Sequence, residues 1–182
     1  MNKYNPNIHN RRSIRLRGHD YSQAGMYFVT ICCQDRACRL GKIENDRMIL
    51  NECGNIAYAE WLKLTERFSN FELDVFQIMP NHMHGINALN DVSVGATLAV
   101  APNTVAPNNA NIRSEASPAP TKTIGDIVGA YKSLVANGCL DIYKSKNKTM
   151  GKLWQRNYHE HIIRNERSYQ RISEYIYNDP SK

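Results

Sequence analysis

Between Phe71 and Leu89 the sequence leaves little room for anything but a pair of neighbouring antiparallel strands. Phe71, Leu73 and Val75 alternate with Glu72 and Asp74, the chain turns at Met79-Pro80-Asn81, and a second extended run follows from His82 to Leu89. Alternate side chains of a strand point the same way, so His82 and His84 project from one face, roughly 6.6 Å apart along the strand at ~3.3 Å per residue. Met83 turns to the other face. Two imidazoles on one face can converge on a single ion, although a His-x-His pair alone is a weak signal.

The remaining patterns build a sheet around that hairpin. Met26-Tyr27-Phe28-Val29-Thr30-Ile31-Cys32-Cys33, after Gly25, is rich in aromatic and β-branched residues and reads as a strand. From about Met48 to Phe68, Ile49, Ile56, Ala59, Trp61, Leu62 and Leu64 recur at helical spacing, with Gly54 a weak spot. A second helix is predicted over Ile124 to Ala136, where Ile127, Val128, Tyr131, Leu134 and Val135 share a face and Asn137-Gly138 ends it. A short strand fits Tyr158 to Ile163, and a last helix runs from about Asn165 to Tyr177, stopped by Asp179-Pro180. Strand, helix, strand, strand, helix, strand, helix is the order of an α+β, ferredoxin-like split βαβ sheet, antiparallel and backed by helices, with an additional C-terminal helix.

The 182 residues suit one domain spanning 1–182. Residues 1–25 form a basic arm, carrying Arg11, Arg12, Arg15 and Arg17 without apolar periodicity. Residues 91–122 break the pattern: Val100-Ala101-Pro102-Asn103 recurs as Val105-Ala106-Pro107-Asn108, and Ser117-Pro118-Ala119-Pro120 follows. Small and polar residues of this kind bury too little surface to offset their ordering entropy, so the segment reads as a mobile, low-complexity insertion. Lys and Arg total 23 against 17 Asp and Glu, a net charge of +6 that suits a polyanionic partner or simply solubility. The five cysteines contain no CxxC pair, which argues against a disulfide framework and a zinc knuckle. No run reaches the roughly 18 to 20 apolar residues that span a bilayer, and MNKYNPNIHNRR lacks the apolar middle of a signal peptide, so no membrane role and a cytoplasmic location are expected.

The final helix holds three tyrosines of interest. At 100° per residue Tyr169, Ile172 and Ile176 fall within about 60° of one another and form the buried stripe. Tyr175 lies about 100° away, on the side of Arg164, Arg171 and Asp179, and Tyr177 lies on the opposite flank. A second His-x-His, His159-Glu160-His161, also falls on a predicted strand, but its Glu160 points to the other face and cannot join both imidazoles at one ion without a bulge. Trp154, Gln155, Arg156 and Tyr158 offer stacking and hydrogen-bonding groups for unpaired bases, and Trp154 serves equally well as a core anchor.

Pro80-Asn81-His82-Met83-His84 resembles the His-hydrophobe-His motif of the HUH endonucleases. Together with Arg15-Leu16-Arg17, Asp20-Tyr21-Ser22, Lys132-Ser133-Leu134, Leu153-Trp154-Gln155-Arg156-Asn157-Tyr158, Glu160-His161-Ile162-Ile163-Arg164 and Tyr175-Ile176-Tyr177-Asn178-Asp179-Pro180, it is similar to the single-tyrosine transposases of small insertion sequences, above all the REP-associated tyrosine transposases. The resemblance covers nearly the whole chain outside the insertion. It implies a divalent ion, Mg²⁺ or Mn²⁺, held by His82 and His84, and a tyrosine of the last helix, here Tyr175, that attacks a phosphate to leave a 5′-phosphotyrosine and a free 3′-hydroxyl. Asp179 stands where such enzymes carry a Gln that completes the metal site, a departure that leaves the third ligand open. Arg11, Arg12, Arg15, Arg17, Arg164, Arg171, Trp154 and Arg156 are the candidate DNA contacts, the partner being single-stranded DNA with REP-like hairpins. A monomer is favoured and a homodimer possible. The competing readings are a non-catalytic single-stranded DNA or RNA binding module on the same fold, and a metal hydrolase that uses the histidines without the tyrosine.

Removing Ser93 to Ala119 tests the insertion: the melting temperature should fall by less than about 8 °C, since a larger drop matches the loss of a core contact.

Overall fold

The central strand of the protein is the one predicted after Gly25, and the rest of the sheet is laid out on either side of it. In the computed structural model, which describes residues 16, 18–91 and 122–181, β1 (Gly25–Cys32) pairs antiparallel with β5 (His82–Leu89) on one side and β6 (His159–Ile163) on the other. β4 (Phe71–Ile78) pairs with β5, giving the order β4-β5-β1-β6, all antiparallel, as in the predicted split βαβ arrangement. The arginines at 11, 12, 15 and 17 and residues 92–121 of the insertion lie outside the described residues.

Each face of the sheet is covered by different helices. Tyr27, Val29 and Ile31 of β1, with Met83 and Leu89 of β5, are buried with α1 (Glu52–Leu62) and α3 (Ile124–Ser145) through Ala57, Trp61, Ile127, Val128, Tyr131 and Val135. Trp61 meets Tyr131 edge-on at 4.8 Å, and the Tyr131 hydroxyl donates to the Ala57 carbonyl at 3.1 Å. On the opposite face Ile86 and Ile163 bury Ile172 and Ile176 of α4 (Glu166–Asn178), with Met26, Phe28, Val75 and Tyr169 packed around them. Burial also pushes the Cys33 thiol up to about 12, consistent with an inert core cysteine.

Two element boundaries differ from the sequence reading. The helix expected from Met48 starts at Glu52, because β2 (Gly41–Glu44) and β3 (Arg47–Leu50) form a hairpin closed by Asn45 and Asp46 at φ 49° and 58°. Asn and Asp tolerate that left-handed conformation, which matches the strand twist of a two-residue turn. Asn51 then caps α1, its side chain accepting from the Gly54 N–H at 2.9 Å, and α2 (Leu64–Arg67) continues it. The second helix does not stop at Asn137-Gly138 but continues to Ser145. There Ile56 of α1 lies 3.1 Å from where a Gly138 β-carbon would sit, so the missing side chain permits close helix packing that outweighs the roughly 1 kcal/mol helix penalty of glycine.

The turn before β5 is fixed through its backbone. Cys33 N–H donates to the Asn81 carbonyl at 2.8 Å, Leu40 N–H to the Pro80 carbonyl at 2.9 Å, and Met79 N–H to the His82 carbonyl at 2.8 Å. Among the described residues no helix is long and apolar enough to cross a membrane.

Two glycine substitutions should move stability in opposite directions. A β-carbon at Gly54 would collide with the Leu40 carbonyl oxygen, whereas nothing lies within 4 Å of one at Gly129. Gly54→Ala should therefore destabilise by about 1–3 kcal/mol in urea titration, and Gly129→Ala should stabilise by roughly 0.5–1 kcal/mol. A stabilised Gly54→Ala variant would show that α1 does not sit against Leu40 in this way.

Candidate metal and nucleophile site

His82 and His84 lie on the α4 face of β5, and α4 brings its C-terminal end over them. The Asp179 Oδ2 is 3.5 Å from His82 Nε2 and 3.7 Å from His84 Nε2, and one ligand atom from each of these three residues lies within 4.8 Å of the others. The imidazoles stand nearly perpendicular, 82° apart, with centroids at 5.0 Å. Four residues earlier on α4, the Tyr175 ring sits 5.3 Å from His84 and edge-on to Phe28 at 6.4 Å, with the Asp179 carboxylate near enough to its hydroxyl to act on it. The sequence brings Asp179 there because Pro180, lacking an N–H, ends the regular helix at Asn178 and turns it into a short 3₁₀ segment, Asp179–Ser181.

The electrostatics suit a cation. Burial lowers the His82 pKa against the opposing pull of Asp179, and burial together with the neighbouring His82 lowers that of His84 to about 4. Both rings are then neutral at pH 7, the state in which an imidazole nitrogen can bind a metal. His82 Nδ1 donates to Asn81 Oδ1 at 2.7 Å, which leaves its Nε2 lone pair aimed at Asp179. His84 is only 1% exposed and neither ring nitrogen has a hydrogen-bond partner. A buried polar atom in that state costs about 1–3 kcal/mol, and a cation between the two imidazoles and the carboxylate would satisfy it. Two nitrogens and one hard oxygen fit a divalent ion. Burial, then the charge of Asp179, raises the Tyr175 pKa, so its hydroxyl keeps its proton at neutral pH.

The other residues singled out from the sequence separate into groups. Tyr177 is 81% exposed against 42% for Tyr175 and points away from the histidines, and Tyr169 packs beside Ile172 and Ile176, with Asp74 beside it raising its pKa. His159 and His161 are exposed on β6 and belong to no metal-competent group among the described residues. Trp154 is buried, its indole N–H donating to the Lys132 carbonyl at 3.1 Å and its ring tilted on Tyr131, which makes it an anchor of the segment before β6. Arg156 is exposed beside it, and Arg164 and Arg171 line a cleft at the other end of α4. Asn81 and Phe28, which hold His82 and Tyr175, were not among the site residues read from the sequence. The Asn81 side chain precedes the histidine directly, and its place in the Pro80-Asn81-His82-Met83-His84 run was its signal.

No family model matches the chain. A Haemophilus influenzae protein described as uncharacterized is 40% identical over 182 residues, covering 98% of this chain and 92% of that protein. Among solved structures, a REP-associated tyrosine transposase bound to a REP hairpin superposes with a TM-score of 0.53 at 17% identity, over 92% of this chain and 73% of that one. At that identity the likeness is one of fold.

The depressed His84 pKa links pH to stability in metal-free protein. Its ring is unprotonated when folded and takes up a proton readily when unfolded, so its contribution is fully present above pH 6.5 and is lost as pH falls towards about 4. In EDTA, the melting temperature of the wild type should fall more steeply over that window than that of His84→Phe; parallel slopes would remove His84 as the linked group.

Proposed function

Because this chain belongs to one family with the Haemophilus influenzae protein and has the fold of a REP-associated tyrosine transposase, we propose that it is a metal-dependent enzyme that cuts and rejoins single-stranded DNA through Tyr175. The observation that carries this reading is the convergence of His82, His84 and Asp179 within 4.8 Å beneath the Tyr175 ring. A bound Mg²⁺ or Mn²⁺ would supply charge neutralisation on the scissile phosphate. The rest is done by the chain itself.

His82 and His84 would hold the ion with neutral imidazoles, His82 oriented by Asn81, and Asp179 would add the oxygen ligand. Tyr175 attacks phosphorus through its hydroxyl oxygen, the bond from phosphorus to the 3′-oxygen breaks, and the 3′-oxygen leaves as a hydroxyl after taking a proton. Since Tyr175 is protonated at neutral pH, its proton would pass to the neighbouring Asp179 carboxylate as the new bond forms. The phosphotyrosine conserves the energy of the broken bond, so the reverse attack by a 3′-hydroxyl rejoins DNA without an external energy source. All four groups come from one chain, which suits a monomer. The hairpin carried by the structural neighbour, a REP hairpin, suggests hairpin-bearing repeat DNA as the substrate.

Phenylalanine keeps the ring packing of Tyr175 and removes the attacking oxygen. With Mn²⁺ and a hairpin labelled 3′ of the cut, wild type and Tyr177→Phe should give a labelled protein band on a denaturing gel. Tyr175→Phe, His82→Ala and His84→Ala should give none, and Tyr175→Phe should still bind the hairpin. Adduct formation by Tyr175→Phe would overturn the assignment, and absence of adduct from the wild type would favour a binding module.

A further inference from the structure

A cleft of about 770 Å³ opens at the far end of α4 from the histidines, between the β6 edge strand, the first turns of α4, and Leu16 and Tyr21. That volume is in the range of small-ligand sites. Arg164, Arg167 and Arg171 line it, all three exposed and none in an ion pair among the described residues, with Glu160 as the opposing charge. An edge rich in guanidinium groups is built for phosphate, which arginine grips with two parallel N–H donors. Leu16 and Tyr21, an apolar and an aromatic side chain, also line the cleft, which suits contact with a base.

The cleft and the histidine site lie on one track. Arg167, Arg171, Tyr175 and Asp179 recur every four residues, the spacing of a helix ridge, so Arg167 and Tyr175 stand roughly 12 Å apart along the axis at 1.5 Å per residue. His161, which also lines the cleft, pairs across the sheet with Phe28, and Phe28 touches Tyr175. We propose that the cleft holds one unpaired nucleotide of the DNA strand whose phosphate is cut at Tyr175, its base against Leu16 and Tyr21 and its flanking phosphates on Arg164, Arg167 and Arg171. The nucleotide lies a few positions from the cut. This rests on the strand-cutting reading and adds a site of base selection away from the chemistry.

The test reads binding without metal, by fluorescence anisotropy on a hairpin with single-stranded flanks. Arg167→Glu should weaken binding roughly tenfold and lower the slope of log affinity against log salt by about 1. Abasic substitution scanned along the flank should weaken wild-type binding at one position and have no further effect there on Leu16→Glu, a change at a half-exposed residue that leaves the core intact. Circular dichroism melts establish that both variants are folded. Normal binding by folded Arg167→Glu, a scan with no sensitive position, or equal competition by polyglutamate of matched charge would each overturn the proposal. If wild type forms the tyrosine adduct and these variants bind normally, the cleft fails and the strand-cutting reading stands. If no adduct forms but the variants lose binding, the cleft stands and that reading fails.

Discussion

The arrangement of this site depends on how the Pro80-Asn81 turn is fixed. Its two carbonyls accept from Leu40 and Cys33, and these bonds, with the Met79 to His82 closure, set the register in which β5 leaves the turn. Side chains alternate strictly along a strand, so a slip of one residue would send His82 and His84 into the core under α1 and α3 and bring Met83 out in their place. The apolar load on that other face makes such a slip costly, since Met83 and Leu89 are buried there among Val29, Ile31 and Trp61. The large core on one face thus positions polar chemistry on the other.

The second requirement is that α4 bury one side while presenting another. Ile172 and Ile176 hold it to Ile86 and Ile163, and Tyr175 and Asp179, one turn apart, fall on the flank beside that stripe. The buried contact is small compared with the core on the other face. Its role is placement: Asn165 caps the start, accepting from the Ser168 N–H at 2.9 Å, and Pro180 ends the regular turns. Between those points the helical period alone decides which tyrosine meets the histidines.

This explains which features were legible in the sequence. Alternation over His82 to His84 and the 100° phase of the last helix are local rules, and the structure follows both: Met83 is buried opposite the histidines, and Tyr177 points to solvent. The β2–β3 hairpin was hidden because Met48 to Leu50 of β3 also fit the helical spacing of the segment that follows, although Asn45-Asp46 is a recognisable turn pair. Gly138 misled for a different reason, since its helix-ending tendency is outweighed by packing on Ile56, a contact distant in sequence. Trp154 could be read as anchor or stacking platform, and only its burial and the Lys132 carbonyl decide for the anchor. The cleft at the other end of α4 was legible in part: Arg164 and Arg171 stand out by helical phase, but Arg167, Leu16 and Tyr21 join them only once β6 and α4 are folded against residues before β1.

The acidic residue at 179 has a consequence for the balance between stability and chemistry. Before any ion binds, two neutral imidazoles and a carboxylate share a partly buried space, and His84 has no hydrogen-bond partner for either ring nitrogen. A glutamine at this position, as the family resemblance would suggest, could donate an amide N–H to one imidazole and relieve that deficit. Asp179 has only acceptor oxygens when ionised, so it cannot donate to an imidazole lone pair, and at 3.7 Å from His84 Nε2 it leaves that nitrogen without a hydrogen bond. On the proposed function, the carboxylate would exchange folding free energy in the metal-free protein for a charged, hard ligand when a divalent ion is present, and would link the proposed nucleophile, Tyr175, to the group that holds the ion. Asn87 also buries polar atoms without partners, but those of His84 stand beside a second imidazole and a carboxylate, an arrangement that a cation would satisfy.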